Sequence, residues 1–178
     1  MFKSELDTSR AFTPLSIAVL AVSDTRTLET DTAGALLKSL MEADGHKCAD
    51  RAVCRDDVQQ IRAQVMKWVI DPAIDAVITT GGTGFSGRDV TPEALEPLFV
   101  KRMEGFSILF HQYSATTVGT STIQSRATGG LIGDTLVFAL PGSRGGCRDA
   151  WEGILRLQLD SRHLPCNFVE IIPRFNER

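Results

Sequence analysis

Residues 74–95, IDAVITTGGTGFSGRDVTPEAL, constrain this chain more than any other stretch. Ile74 to Thr80 is a short apolar, β-branched run, the pattern of a buried strand. It breaks into Thr80-Gly81-Gly82-Thr83-Gly84, where three glycines in four positions open backbone angles closed to other residues. After a polar loop, Thr91-Pro92-Glu93 supplies a helix start, with Thr91 as N-cap, Pro92 at the first helical position and Glu93 near the positive end of the dipole. The unit predicted is strand, glycine turn, polar loop, helix. At the carboxyl end of a parallel strand such a turn presents several backbone N–H groups in a concave nest suited to phosphate oxygens. The alternative is a tight turn packed against a neighbouring element.

The rest of the chain supports an open α/β sheet. Leu15 to Val22 is a nearly continuous apolar strand, predicted to be central. Asp31 to Asp44 reads as a helix with Leu36, Leu37, Leu40 and Met41 on one face, stopped by Gly45. His46 to Cys54 is a weaker strand. Val58, Ile61, Val65, Trp68 and Val69 then fall at helical spacing until Asp71-Pro72, with Trp68 expected in the core. The helix after the glycine turn is expected to run through Leu98 and Phe99, and another to span Met103 to Tyr113. Residues 119–130, GTSTIQSRATGG, read as a surface loop. Thr135 to Leu140 is a further buried strand, Gly145 to Leu159 a last long helix, and Ser161 to Arg178 an irregular or extended tail. Alternating strands and helices without repeats predict one α/β domain, three-layered α/β/α with a mainly parallel sheet. Residues 1–14 form a polar arm, either a mobile tail or an arm laid on a neighbouring subunit; residues 15–168 form the domain and residues 169–178 the tail.

Composition excludes several classes of function. A net charge of −3 with no long basic run argues against nucleic-acid or anionic-membrane partners. The longest apolar run, Ile17 to Val22, is far short of a membrane span, and no signal peptide is legible. Cys48, Cys54, Cys147 and Cys166 make no CxxC pair, so reduced thiols and a cytoplasmic location are expected. Ser23-Asp24-Thr25-Arg26 after the first strand lacks GxGxxG, which counts against a nicotinamide enzyme, and no GxxxxGK[ST] phosphate loop occurs.

Three strand ends bring polar groups to one rim: Ser23-Asp24, Thr80 to Asp89, and Pro141-Gly142-Ser143, with Asp56 beside them. Carboxylates next to an anion nest repel phosphate unless a divalent cation bridges them, and Mg²⁺ binds through one or two carboxylates plus substrate phosphates. Asp89 is the foremost candidate metal ligand; Asp89 and Asp56 otherwise are solvated turn residues. Ser121, Ser125 and Arg126 are candidates to clamp an anion, or belong to a self-bonded loop, and Ser143 is alternatively a helix N-cap. His46, His111 and His163 have no metal spacing, and no Ser-His-Asp or Cys-His arrangement is legible.

TTGGTG with GRDVTPEAL, VSDTR upstream and ALPGS downstream resembles the MoaB/MogA family of molybdenum cofactor biosynthesis proteins, over about residues 15–168. The N-terminal arm, GTSTIQSRA and PCNF are similar to the MoaB branch. The resemblance implies a molybdopterin cleft at the strand ends and, in the MogA manner, adenylylation: the terminal phosphate of molybdopterin attacks the α-phosphate of Mg-ATP and pyrophosphate leaves. It implies that Thr80, Gly81, Gly82, Thr83 and Gly84 hold phosphate and that Asp89 and Asp56 are the functional acids. Ser23 and Asp24 would then border the cleft, with Pro141, Gly142 and Ser143 at its far lip. It also implies a homo-oligomer, a hexamer of paired trimers or a trimer. Two alternatives remain: a non-catalytic module that binds pterin or nucleotide in support of cofactor synthesis, and a generic phosphotransferase.

Overall fold

Ile17 to Val22 is apolar throughout and buried throughout, so this strand must be covered on both faces. The computed structural model, which describes residues 5–177, meets that demand with helices above and below one sheet. In chain order the elements are β1 (Glu5–Leu6), β2 (Ser16–Val22), α1 (Thr32–Ala43), β3 (Lys47–Cys54), α2 (Val58–Val69), β4 (Ala76–Thr80) and α3 (Thr91–Leu95). They continue with β5 (Lys101–Arg102), α4 (Glu104–Val118), β6 (Thr128–Ile132), β7 (Thr135–Leu140), α5 (Arg144–Ala150), α6 (Arg156–Gln158) and β8 (His163–Leu164). The main sheet has the order β3-β2-β4-β7-β6-β5. β3, β2, β4 and β7 are parallel; β6 and β5 add an antiparallel edge.

The period of two along β2 divides the core. Ile17 and Val19 join Leu37, Met41, Phe110 and Trp151 on the face covered by α1, α4 and α5. Ala18, Leu20 and Val22 join Ile61, Val65, Trp68 and Leu95 on the face covered by α2 and α3. This is the expected three-layer α/β architecture. Trp68 is a core residue, as its spacing predicts, and its indole N–H donates to Asp50 Oδ2 at 2.9 Å. Among the described residues, no helix is long and apolar enough to cross a membrane.

Three local expectations are corrected. Residues 119–130 are not one surface loop: Gly119–Gln124 is a 3-10 stretch and Thr128 opens the buried strand β6. Its small residues look like a loop, but a Cβ on Gly130 would overlap the Phe99 ring, and one on Gly129 would come within 3.0 Å of Phe138. The glycines are there to let aromatic rings lie on the strand. The helix expected to end at Tyr113 continues to Val118, and the last helix passes through a π turn, Trp151–Leu155, before α6.

The N-terminal arm lies on the chain's own C-terminal segment. β1 pairs antiparallel with β8, Asp7 N–H donates to the Arg162 carbonyl at 2.9 Å, and Ser161 Oγ is bonded to both Ala11 and Thr13. The Arg162 guanidinium stacks 5.0 Å above the Phe12 ring, and Arg10 pairs with Glu170. Residues 1–4 of the predicted arm lie outside the described residues. The tail is also less irregular than expected, since Ile172–Arg174 forms a 3-10 turn and Ile172 and Phe175 pack on the core.

Candidate active site

β4 carries buried Thr79 and Thr80 to the carboxyl edge of the sheet and ends in the glycine turn. Gly81 and Gly82 have φ of 107° and 64°, the left-handed region that favours glycine. Space excludes other residues too: a Cβ on Gly81 would run into the Val22 carbonyl oxygen, and one on Gly82 into Thr91 Oγ1. The turn is fastened from three sides. Gly81 N–H donates to the Leu140 carbonyl at 3.0 Å, Thr80 Oγ1 donates to the Pro141 carbonyl at 2.8 Å, and Thr91 bonds the Gly81 carbonyl through Oγ1 at 2.8 Å and the Gly82 carbonyl through its amide at 2.9 Å. Thr91 is therefore a clamp on the turn and not the expected N-cap; Val90 occupies that position without a side-chain bond. The Gly81 amide is consumed by Leu140, but among the described residues the Gly82 and Thr83 amides donate to no protein acceptor.

The two acids border this turn. Asp56 Oδ1 stands 3.0 Å from the place a Gly82 Cβ would take, and Asp89 Oδ2 stands 2.9 Å from the corresponding place at Gly84. Asp89 is held inward: Ser86 N–H donates to its Oδ2 at 2.8 Å, and its own amide bonds the Ser86 carbonyl at 3.0 Å. Burial pushes the Asp89 carboxyl upward, but the hydrogen bonds from Ser86 and Gly84 and the Arg126 charge outweigh it and hold it below the usual range. Asp56 goes the other way. Burial raises it first, the negative charges of Asp24 and Asp89 raise it further, and Arg88 with the Asp24 amide only partly offset them.

A cavity of about 630 Å³ opens over the turn, within the size range of small-molecule sites. Ser23, Asp56, Thr80, Gly81, Gly82, Thr83, Gly84, Asp89, Ser121, Ser125, Pro141, Gly142 and Ser143 all line it. Asp24 and Arg126 are not part of the lining. Asp24 is engaged by Arg88 in two hydrogen bonds of 2.9 Å. Arg126 braces the turn from behind: its Nε donates to the Gly84 carbonyl at 2.8 Å, one terminal nitrogen to the Asp89 carbonyl at 3.0 Å, and another pairs with Glu93. Ser143 is the N-cap of α5, accepting from the Gly146 amide at 3.0 Å, while also lining the cavity.

Sequence comparison completes the picture. The sequence matches a family model described as "Probable molybdopterin binding domain" over residues 18–161. The chain belongs to the MoaB/MogA family. It is 46% identical over 160 residues to molybdenum cofactor biosynthesis protein B of Escherichia coli (strain K12), covering 90% of this chain and 94% of that one. The protein of the same name from Staphylococcus aureus (strain COL) is 42% identical over 146 residues, 80% of this chain and 86% of the relative. A crystal structure of molybdenum cofactor biosynthesis protein B aligns with a TM-score of 0.85 at 34% identity, covering 95% of this chain and 100% of that one.

Sequence reasoning missed part of the wall of this MoaB/MogA cavity. Phe110, Ser114 and Val118 line it from α4 at positions i, i+4 and i+8, a helical spacing that was open to reading. Asp31, buried and paired with Arg51 at 3.2 Å, and Asp149 also line it. Neither belongs to a motif.

Among the described residues, no group of three or more His, Cys, Asp or Glu could hold a metal ion unaided. Two carboxylates beside a phosphate-sized nest nonetheless fit Mg²⁺, which takes hard oxygen ligands and completes its shell with substrate phosphates and water. Softer ligands stay out of the cavity lining. Cys147 lies beneath the turn, its thiol pushed up to about 11 by burial, and no histidine lines the cavity. His46 is buried, with Nδ1 accepting from the Leu15 amide at 3.1 Å and its pKa lowered by desolvation.

Proposed function

We propose that this chain acts in molybdenum cofactor biosynthesis, binding molybdopterin and transferring AMP from Mg-ATP to its terminal phosphate. The observation that carries this reading is the placement of the Gly82 and Thr83 amides, Asp56 and Asp89 around one cavity. In the reaction, an oxygen of the molybdopterin phosphate attacks the α-phosphorus of ATP. The bond from that phosphorus to the β-bridging oxygen breaks, and its electron pair leaves with pyrophosphate. A phosphate nucleophile is ionised at neutral pH, so a histidine base is not required. The Gly82 and Thr83 amides donate to a phosphoryl oxygen, and the fixed turn orients it for in-line displacement. Asp89 and Asp56 would hold Mg²⁺, which supplies neutralisation of the charge gathering on the phosphoryl oxygens. The reduced thiols suggested by four unpaired cysteines are consistent with work in the cytoplasm.

The test is purified chain with Mg-ATP and molybdopterin. Pyrophosphate release in proportion to adenylylated product is expected, and tight pterin binding with no release would refute the transfer. In the same preparation, sedimentation should give a trimer or hexamer, assembled through surfaces such as exposed Ile108 and Ile123; a monomer would refute assembly.

One observation favours a second reading, a non-catalytic pterin-binding protein. Asp31, Asp56, Asp89 and Asp149 line the cavity, while Arg26 is the one basic side chain in that lining. Such a wall is poorly charged for a free triphosphate. This reading predicts tight pterin binding with no release of pyrophosphate from Mg-ATP.

A further inference from the structure

The cavity has two kinds of wall. At the strand ends it is backbone amide, glycine and the acids of the turn. Between α4 and α5 it is different: Phe110, Ser114 and Val118 stand there with Asp149. Asp149 is 7% exposed, yet it has one protein hydrogen bond, from Thr117 Oγ1 to its Oδ2 at 2.7 Å. Among the described residues no donor reaches Oδ1, and Oδ1 is not one of the sealed, partnerless polar atoms of the interior. A carboxylate oxygen that faces the cavity with no protein donor is an acceptor available to whatever ligand displaces the water there.

We propose that Asp149 reads the donor edge of the pterin ring, making the α4–α5 wall the ring subsite and the glycine turn the phosphate subsite. This rests on the molybdopterin reading above. The 2-amino-4-oxopyrimidine edge of a pterin carries an exocyclic NH₂ beside a ring N–H, two parallel donors. A carboxylate is an acceptor only, and each of its oxygens has two lone-pair sites, so Oδ2 can keep Thr117 while the pair receives both donors. Adenine is mismatched, because its amino group lies beside an acceptor nitrogen whose lone pair would face the carboxylate. The wall therefore selects the ring of molybdopterin over that of ATP. Val118, with the buried Phe110 behind it, gives the apolar surface that a flat heterocycle requires.

A purely structural Asp149, tying α5 to Thr117 of α4, is the competing role, and ligand discrimination separates the two. The probes are 6-hydroxymethylpterin and 6-hydroxymethyllumazine, which has a 2-oxo group in place of the amine, titrated by fluorescence. The unaltered chain is expected to prefer the pterin by about tenfold or more. Asp149→Asn should erase or invert that preference, since its amide offers a donor to the 2-oxo group, while inorganic pyrophosphate binds as before. Thr117→Val, which removes only the tie, should keep the preference. Retained preference in Asp149→Asn, equal loss in Thr117→Val, or no preference in the unaltered chain would overturn the proposal. If molybdopterin still binds in those cases, the function stands and only the role of Asp149 falls; if molybdopterin does not bind at all, both fall.

Discussion

Asp89→Asn is expected to lower the rate of pyrophosphate release about a hundredfold while leaving molybdopterin affinity within about threefold. The isostere keeps one acceptor oxygen, so the Ser86 amide, 2.8 Å from the carboxylate, retains a partner and the loop survives. What is lost is a full negative charge beside the amide nest, which matters most when charge collects on the transferring phosphoryl group. Steady-state kinetics with varied molybdopterin separate the two effects. Equal losses in kcat and in affinity would mean that Asp89 serves binding and not the transition state.

Gly82→Ala should be more damaging to binding. The residue stands at φ 64°, and a left-handed non-glycine residue costs about 1–2 kcal/mol. The new methyl group would also meet Thr91 Oγ1, the group that clamps the Gly81 carbonyl, and would press on Asp56 Oδ1. The turn must move, and with it the Gly82 and Thr83 amides. Calorimetry with Mg-pyrophosphate is expected to show affinity reduced by about a hundredfold or more, a loss of roughly 2.8 kcal/mol. Gly87→Ala is the control: nothing lies within 4 Å of its Cβ position, and both stability and affinity should be retained. Pyrophosphate binding unchanged in Gly82→Ala would show that the turn is structural.

The division between what the sequence disclosed and what it hid follows the range of the interactions. Ile17 to Val22 and Ala76 to Thr80 were legible because a strand buried on both faces has to be apolar on both faces. The glycine turn was legible because its backbone angles demand a residue type. Asp89 was legible through the sheet topology, which brings every residue after a parallel strand to the same edge. Thr91 was misread because a cap and a clamp use the same hydroxyl, and only the position of the Gly81 carbonyl decides between them. Arg126 carries the charge expected at an anion site and Asp24 the charge expected beside a bridging cation, but their bonds to loop carbonyls and to Arg88 are made across the fold. Asp149 was hidden because it lines the cavity only through the packing of α5 against α4, a contact made across the fold. The strand at Gly129 and Gly130 was hidden for a related reason: its packing groups are the rings of Phe99 and Phe138, contributed from elsewhere.

In the proposed reaction the Gly82 and Thr83 amides receive a phosphate oxygen with the aid of the acids beside them. Amide proton and nitrogen shifts, followed while pyrophosphate is added with and without Mg²⁺, test this directly. The predicted result is large shifts at Gly82 and Thr83 that require Mg²⁺, with the Gly81 amide, bonded to Leu140, far less affected. Saturable pyrophosphate binding that leaves both amides unshifted, or shifts them equally without the metal, would contradict it.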